Sequence, residues 1–133
     1  TRLVDGPSGW TDTGIGHMRD HHLYQNAEKL PDHEKGRATV YGEFGGISLF
    51  IEDHVMVKKG WGYTKTETAD DLLASYSKLL GDITDLIPNG LAGVIYTQTT
   101  DVESEINGLL TYDRNYKIDP DVLRSIHSQI VDQ

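Results

Sequence analysis

Apolar positions recur along this chain at two different periods. Residues 38–43 carry β-branched and aromatic side chains and run into Phe44-Gly45-Gly46, a pattern that predicts a strand. Residues 91–96, Leu-Ala-Gly-Val-Ile-Tyr, are nearly all apolar, which suits a strand buried on both faces. Between them the period changes. Leu72, Tyr76, Leu79, Leu80, Ile83 and Ile87 recur at helical spacing. Thr68 is a good N-cap, and Asp70 and Asp71 oppose the helix dipole in the first turn. Pro88-Asn89-Gly90 ends that helix. A second one starts at Asp119-Pro120, with Val122, Leu123, Ile126, Ile130 and Val131 on its apolar face.

The first half is less regular. Residues 1–5 read as a strand running into Gly6-Pro7-Ser8-Gly9-Trp10, and residues 19–24 as another. Residues 25–36 read as a loop or one short helix. Two polar stretches remain, residues 44–67 and 97–118, and loops of that length inside a compact domain usually carry function. Four strands are thus expected, beginning near Leu3, His21, Thr39 and Ala92. Strands joined by helical crossovers are the units of α/β folds, whose ligands sit at the C-terminal ends of the strands. Those ends are where this sequence keeps its Gly, Trp, Tyr, His and acidic residues.

Composition narrows the chemistry. The 133 residues hold 21 acidic and 12 basic side chains, a formal net charge of −9. That excess disfavours unspecific binding to nucleic acid or anionic membrane, which needs clustered Lys and Arg. No stretch approaches the roughly 20 apolar residues of a membrane span. The absence of cysteine excludes disulfides, thiolate metal sites, iron–sulfur clusters and a cysteine nucleophile. Residues 1–5 are no signal peptide, and the compartment stays open between cytoplasmic and exported. The chain opens on Leu3-Val4 without a methionine, as if cut from something longer.

Glu43 is the sharpest candidate for chemistry. It closes an apolar strand, and the glycines after it let backbone or ligand come close. The alternative is a strand-end carboxylate that caps a turn. Tyr24 can hold such a carboxylate through its hydroxyl, and His22 can donate to a sugar or act as acid or base. Alternation puts His22 and Tyr24 on one face and His21 on the other. Trp10, Trp61 and Tyr96 are aromatic platforms for a sugar ring, or ordinary core residues. In the last loop Gln98 and Asp101 lie nearest the strand end, ahead of Glu103 and Glu105. His17, Asp20, His21 and His22 cluster, but without a zinc-binding spacing, so no metal is expected. Ser8 lacks the flanking glycines of a hydrolase elbow, and no phosphate-loop or dinucleotide fingerprint is present. No cofactor is implied.

Three longer segments carry a resemblance. They are Val40-Tyr41-Gly42-Glu43-Phe44-Gly45-Gly46, Tyr96-Thr97-Gln98-Thr99-Thr100-Asp101-Val102-Glu103 and Asn107-Gly108-Leu109-Leu110-Thr111-Tyr112-Asp113-Arg114. With Thr1-Arg2-Leu3-Val4, Ser8-Gly9-Trp10, Asp20, His22 and Tyr24, they resemble, in order, glycoside hydrolase family 2, and within it the bacterial β-galactosidase-like members. The resemblance implies the C-terminal half of a (β/α)₈ TIM barrel, strands five to eight with their helices. Residues 1–133 would then be a partial catalytic domain of a larger enzyme, since such barrels take about 250 residues. It implies a retaining β-glycosidase with Glu43 as nucleophile and Tyr24 orienting it. His22, Trp10 and Trp61 would line the sugar or aglycone pocket. Tyr96 or Gln98 would stand where the family commonly ends its eighth strand in tryptophan.

The family's acid/base lies in an Asn-Glu pair on the fourth strand, and this sequence has no Asn-Glu pair. The expected partners are therefore a β-linked glycoside and the other half of the barrel, and the chain alone should hydrolyse little. Two rivals stand beside this reading. One is a non-catalytic half-barrel that binds carbohydrate or pairs with another subunit, including a homodimer through open barrel edges. The other is a complete small α/β domain with a metal-dependent hydrolase site at the histidines.

Overall fold

The computed structural model describes residues 2–6, 9–24, 30 and 34–131. It is a mixed α/β fold. Three parallel strands form the main sheet: β1 (Met18–Leu23), β2 (Ala38–Gly45) and β5 (Leu91–Thr97), in the order β1-β2-β5. Two short strands, β3 (Ile47–Leu49) and β4 (Thr64–Thr66), pair in parallel as a second sheet. Helix α1 (Ala69–Thr84) crosses from β4 to β5, and α2 (Pro120–Val131) ends the described chain. No helix among the described residues is long and apolar enough to cross a membrane.

Helix α1 starts where expected. The Thr68 hydroxyl accepts from the Asp71 backbone, and the Asp71 carboxylate accepts from the Thr68 backbone, so two orphan amides are satisfied reciprocally. Leu72, Tyr76, Leu79, Leu80 and Ile83 are buried. Ile87 falls instead on a 3₁₀ turn, which Gly90 closes with φ 105°. Helix α2 begins at Pro120, with Asp119 Oδ1 accepting from the Asp121 amide. The helices meet where the Tyr76 hydroxyl lies 2.6 Å from His127 Nε2. The core joins Tyr41, Phe44, Ile47 and Leu49 to the apolar face of α1, with Ile118 and Leu123 behind.

Three expectations change. No strand forms at residues 2–6, where Leu3 and Val4 are exposed; a lone bridge from Gly9 to His21 pairs with β1 instead. Residues 44–67 are not simply a polar loop, because Ile47-Ser48-Leu49 is fully buried as β3 and recruits β4. Strand β5 is not buried on both faces: Val94 and Tyr96 pack on the core, while Ile95 is 65% exposed on the other side. A sheet with helices on one face leaves alternate residues bare. Of residues 25–36, expected as a loop or one short helix, the described Leu30, Glu34, Lys35 and Gly36 lie in a turn or irregular chain; residues 25–29 and 31–33 lie outside the described residues.

Two cations organise opposite ends of the fold. Arg37, at the foot of β2, binds Asp12 through both terminal nitrogens at 2.8 and 2.9 Å and donates to the carbonyls of Met18 and Ile15. Lys117 is fully buried and donates to Asp101 Oδ1 at 2.8 Å and to the carbonyls of Leu49 and Ile106. It ties the 97–118 segment to β3. Burial pushes the Asp101 carboxyl up and the Lys117 ammonium down, and each opposes the other's shift. Removing one member of such a pair strands the other. Lys117→Met is expected to cost about 3–5 kcal/mol in urea unfolding. Adding Asp101→Asn should recover a large part of that loss; equal losses for the single and double variants would refute a stranded charge as its cause.

Candidate active site

The polar end of the sheet is shaped by a register slip. His21 pairs with Tyr41, but the next residue, His22, pairs with Glu43, so Gly42 is skipped. The extra residue re-aims the strand, as β-bulges do. It brings the Glu43 carboxylate to the side that His22 occupies. His22 Nδ1 lies 3.5 Å from Glu43 Oε2, and its Nε2 lies 3.2 Å from Asp20 Oδ2. Asp20 is buried, and its Oδ1 accepts from the Gly42 amide at 2.5 Å. The Tyr24 hydroxyl donates to Glu43 Oε2. Glu43 keeps a 41% exposed side chain, so its carboxylate is held by Tyr24 yet open to a ligand.

Glycines make this packing fit. A Cβ on Gly42 would strike the Asp20 carboxylate at 2.3 Å, and one on Gly9 would strike the His22 ring at 2.3 Å. Gly46, at φ +62°, leaves room for Tyr63 and Tyr24, whose rings would lie 2.5 and 2.8 Å from its Cβ. Gly45 likewise admits the Tyr96 ring. The glycines after Glu43 thus bring side chains of the same molecule close.

An aromatic wall borders the carboxylates. Trp10 is 71% exposed and meets His22 edge-on at 5.6 Å and Tyr24 at 6.1 Å. Tyr24 stacks on Tyr63 at 3.5 Å, and Tyr63 meets Trp61 edge-on at 5.6 Å. The expected residues Glu43, Tyr24, His22, Trp10 and Trp61 therefore form one connected group. Asp20 and Tyr63 join it as well. Asp20 shares β1 with His22 at a spacing of two, and Tyr63 shares a face with Trp61 at the same spacing, so alternation offered a signal for both.

Tyr96 and Gln98 lie elsewhere. Tyr96 sits edge-on between Phe44 and Tyr76 at 5.4 and 4.9 Å, and burial raises its pKa. Gln98 Nε2 donates to Asn107 Oδ1 at 2.8 Å, which ties two turns of the last loop. Asp101 belongs to Lys117, the Glu105 carboxylate accepts from Asn107, and Glu103 is exposed. His21 faces away from the site; burial lowers its pKa, and its Nε2 has no hydrogen-bond partner among the described residues. His17 Nδ1 accepts from the Val4 amide. Ser8 lies outside the described residues. Among the described residues no group of three or more His, Cys, Asp or Glu is arranged to hold a metal ion. Neither a scan of protein-family models nor a search of curated proteins finds a match to the chain.

The arrangement can fix a carboxylate, keep it dry on one side and present it to a ring stacked on tryptophan. Tyr24 serves this as a donor only while protonated. Burial first, then its bonds to Glu43 and Tyr63, raise its pKa far above the ordinary phenol value of about 10. The neutral hydroxyl therefore survives as pH climbs past that value. In an alkaline absorbance titration, the difference between the wild-type chain and Tyr24→Phe should show no tyrosinate step near pH 10; a step there would mean an ordinary, solvated phenol.

Proposed function

We propose that this chain carries the nucleophile half of a retaining β-glycosidase of the β-galactosidase or β-glucuronidase type. The observation that carries the reading is the Tyr24 hydroxyl donating to Glu43 Oε2 at the C-terminal end of parallel strands. A tyrosine that grips one carboxylate oxygen leaves the other free and fixes its direction. In the reaction, a Glu43 oxygen bonds to the anomeric carbon while the bond to the leaving oxygen breaks. A second carboxyl group, about 5 Å away, gives that oxygen its proton. It then takes a proton from water, whose oxygen displaces Glu43 and releases the sugar with retention. This second carboxyl group is not among the residues assigned here, and it would come from the other half of the barrel. Trp10 would stack on the sugar, and His22 and Asp20 would receive its hydroxyls.

The same reading explains the bare side of the sheet. Asp20 and Gly42 meet on one face, as do Val40 and Gly93, with Ile95 exposed beyond them. In a closed barrel that face is interior and filled by side chains from all eight strands. The outer edge of β5 has no strand beside it among the described residues. Open edges and uncovered apolar faces favour association.

Two measurements test this. The enzyme that contains this segment, treated with an activated 2-fluoro-β-glycoside and digested, should yield a peptide labelled on Glu43. Glu43→Gln should abolish labelling and lower kcat by about 10⁴-fold or more, and Tyr24→Phe by about 10²-fold. A label on any other residue would overturn the assignment. Sedimentation of the 133-residue chain should show concentration-dependent association, with little hydrolysis; a folded monomer at all concentrations would count against an open half-barrel.

A further inference from the structure

Beside the aromatic wall runs a second groove that the nucleophile does not use. Its volume is about 370 Å³, within the range of roughly 300–1,000 Å³ usual for small-ligand sites. Phe50, Trp61 and the lysines Lys58, Lys59 and Lys65 line it. Its backbone is built rigidly. The Trp61 amide donates to the Ser104 carbonyl at 2.8 Å, and its carbonyl accepts from Ile106 at 2.9 Å. The flanking glycines are pressed onto the floor: a Cβ on Gly60 would meet Ile106 at 2.5 Å, and one on Gly62 would meet Ser48 at 2.5 Å. A tryptophan whose backbone is fixed on both sides nonetheless leaves its indole 47% exposed.

The charge at this groove runs against the rest of the molecule. The chain carries −9, and Arg19, Arg37, Lys78, Lys117 and Arg124 each reach a carboxylate. Lys58, Lys59 and Lys65 reach none among the described residues, nor do Arg2, Lys35 and Arg114, but the three lysines line one groove. Glu105, whose backbone bridges to Trp61, gives its carboxylate to Asn107. An aromatic platform fits the C–H face of a pyranose, and unpaired ammonium groups fit an anion on that ring. Trp61 reaches Glu43 through only two rings, Tyr63 and Tyr24. We propose that this groove is a subsite for an acidic sugar residue, carboxylated or sulfated, on the leaving-group side of the bond that Glu43 attacks. The assignment rests on the glycosidase reading of Glu43. In the β-galactosidase-type form of that reading, it places a neutral ring over the carboxylates and the acidic ring over the lysines.

The test uses the 133-residue chain with Trp10→Phe, which leaves Trp61 as its single tryptophan, and three ligands of one backbone: cellotetraose, its form oxidised to the carboxylate at C6 of every ring except the non-reducing-end one, and its form sulfated at the same positions. An acidic tetrasaccharide should change Trp61 emission saturably, bind about tenfold tighter than cellotetraose, and weaken as salt is added. The two acidic forms show which anion the lysines prefer. Changing Lys58, Lys59 and Lys65 together to Gln should remove the preference and leave the weak cellotetraose binding unchanged. Equal affinity for neutral and acidic forms, no binding, or inorganic sulfate binding as tightly as the sulfated sugar would each overturn the proposal. The comparison among ligands needs no lysine variant, so misfolding of that variant cannot mask it. Labelling of Glu43 by a neutral fluoroglycoside is independent of the lysines. Labelling without acidic selectivity overturns the groove alone, and acidic selectivity without labelling overturns the catalytic reading.

Discussion

The slip of β2 against β1 is the constraint on which the rest of the polar site depends. Skipping Gly42 lets His22 face Glu43 across the ladder, and the missing side chain at Gly42 is the space that the Asp20 carboxylate fills. Asp20 in turn binds the Gly42 amide, so the bulge and the carboxylate hold each other. In a regular ladder Glu43 would pair elsewhere and point to the core face with Tyr41. The one-residue step therefore converts an apolar strand end into a polar cluster of two carboxylates with an imidazole between them.

The long connections are positioned by buried polar contacts more than by apolar ones. Lys117 donates to the Leu49 carbonyl on β3 and to Asp101 Oδ1 and the Ile106 carbonyl within the 97–118 loop. That arrangement specifies where the 97–118 loop lies, because an ammonium in a dry site tolerates few alternatives. Tyr63 and Trp61 are set in the same way, by backbone bonds to Gly46, Ser104 and Ile106. Aromatic rings on such a backbone keep their place without being buried. This is why the wall beside Glu43 can be both exposed and ordered.

Much of this was legible from residues alone. The start of helix α1 at Thr68 and its buried face were written in the helical period, while its end falls at Thr84, ahead of the expected stop at Pro88-Asn89-Gly90. The Asp119-Pro120 start of α2 and the strands at Thr39 and Ala92 were equally local signals. Glu43, Tyr24 and His22 were singled out from strand ends and alternation, and the fold brings them together. The misses have a common cause. Leu3-Val4 is apolar but stays exposed and joins no strand, Val4 bonding only to His17, while Gly9 pairs with β1 although glycine has low strand propensity. β3 and β4 are three residues each, too short for any period to register. Of the two readings open for Tyr96, sugar platform or core residue, its place on the helix-facing side decides for the core, where it packs against Tyr76.

Local order was thus written along the chain: helix caps, apolar faces, turn glycines and the charge balance depend on neighbours a few residues away. What the chain could not announce was which distant groups meet. The stack of Tyr24 on Tyr63, the pairing of Asp101 with Lys117 and the exposure of Ile95 depend on register and on which sheet face the helices cover. Such contacts join residues far apart in sequence, and their geometry is set by packing around glycines that individually look like ordinary turn residues. Glu43 was visible as a carboxylate at a strand end. That it is gripped by a tyrosine and faces a histidine follows from a single skipped residue, which no periodicity records.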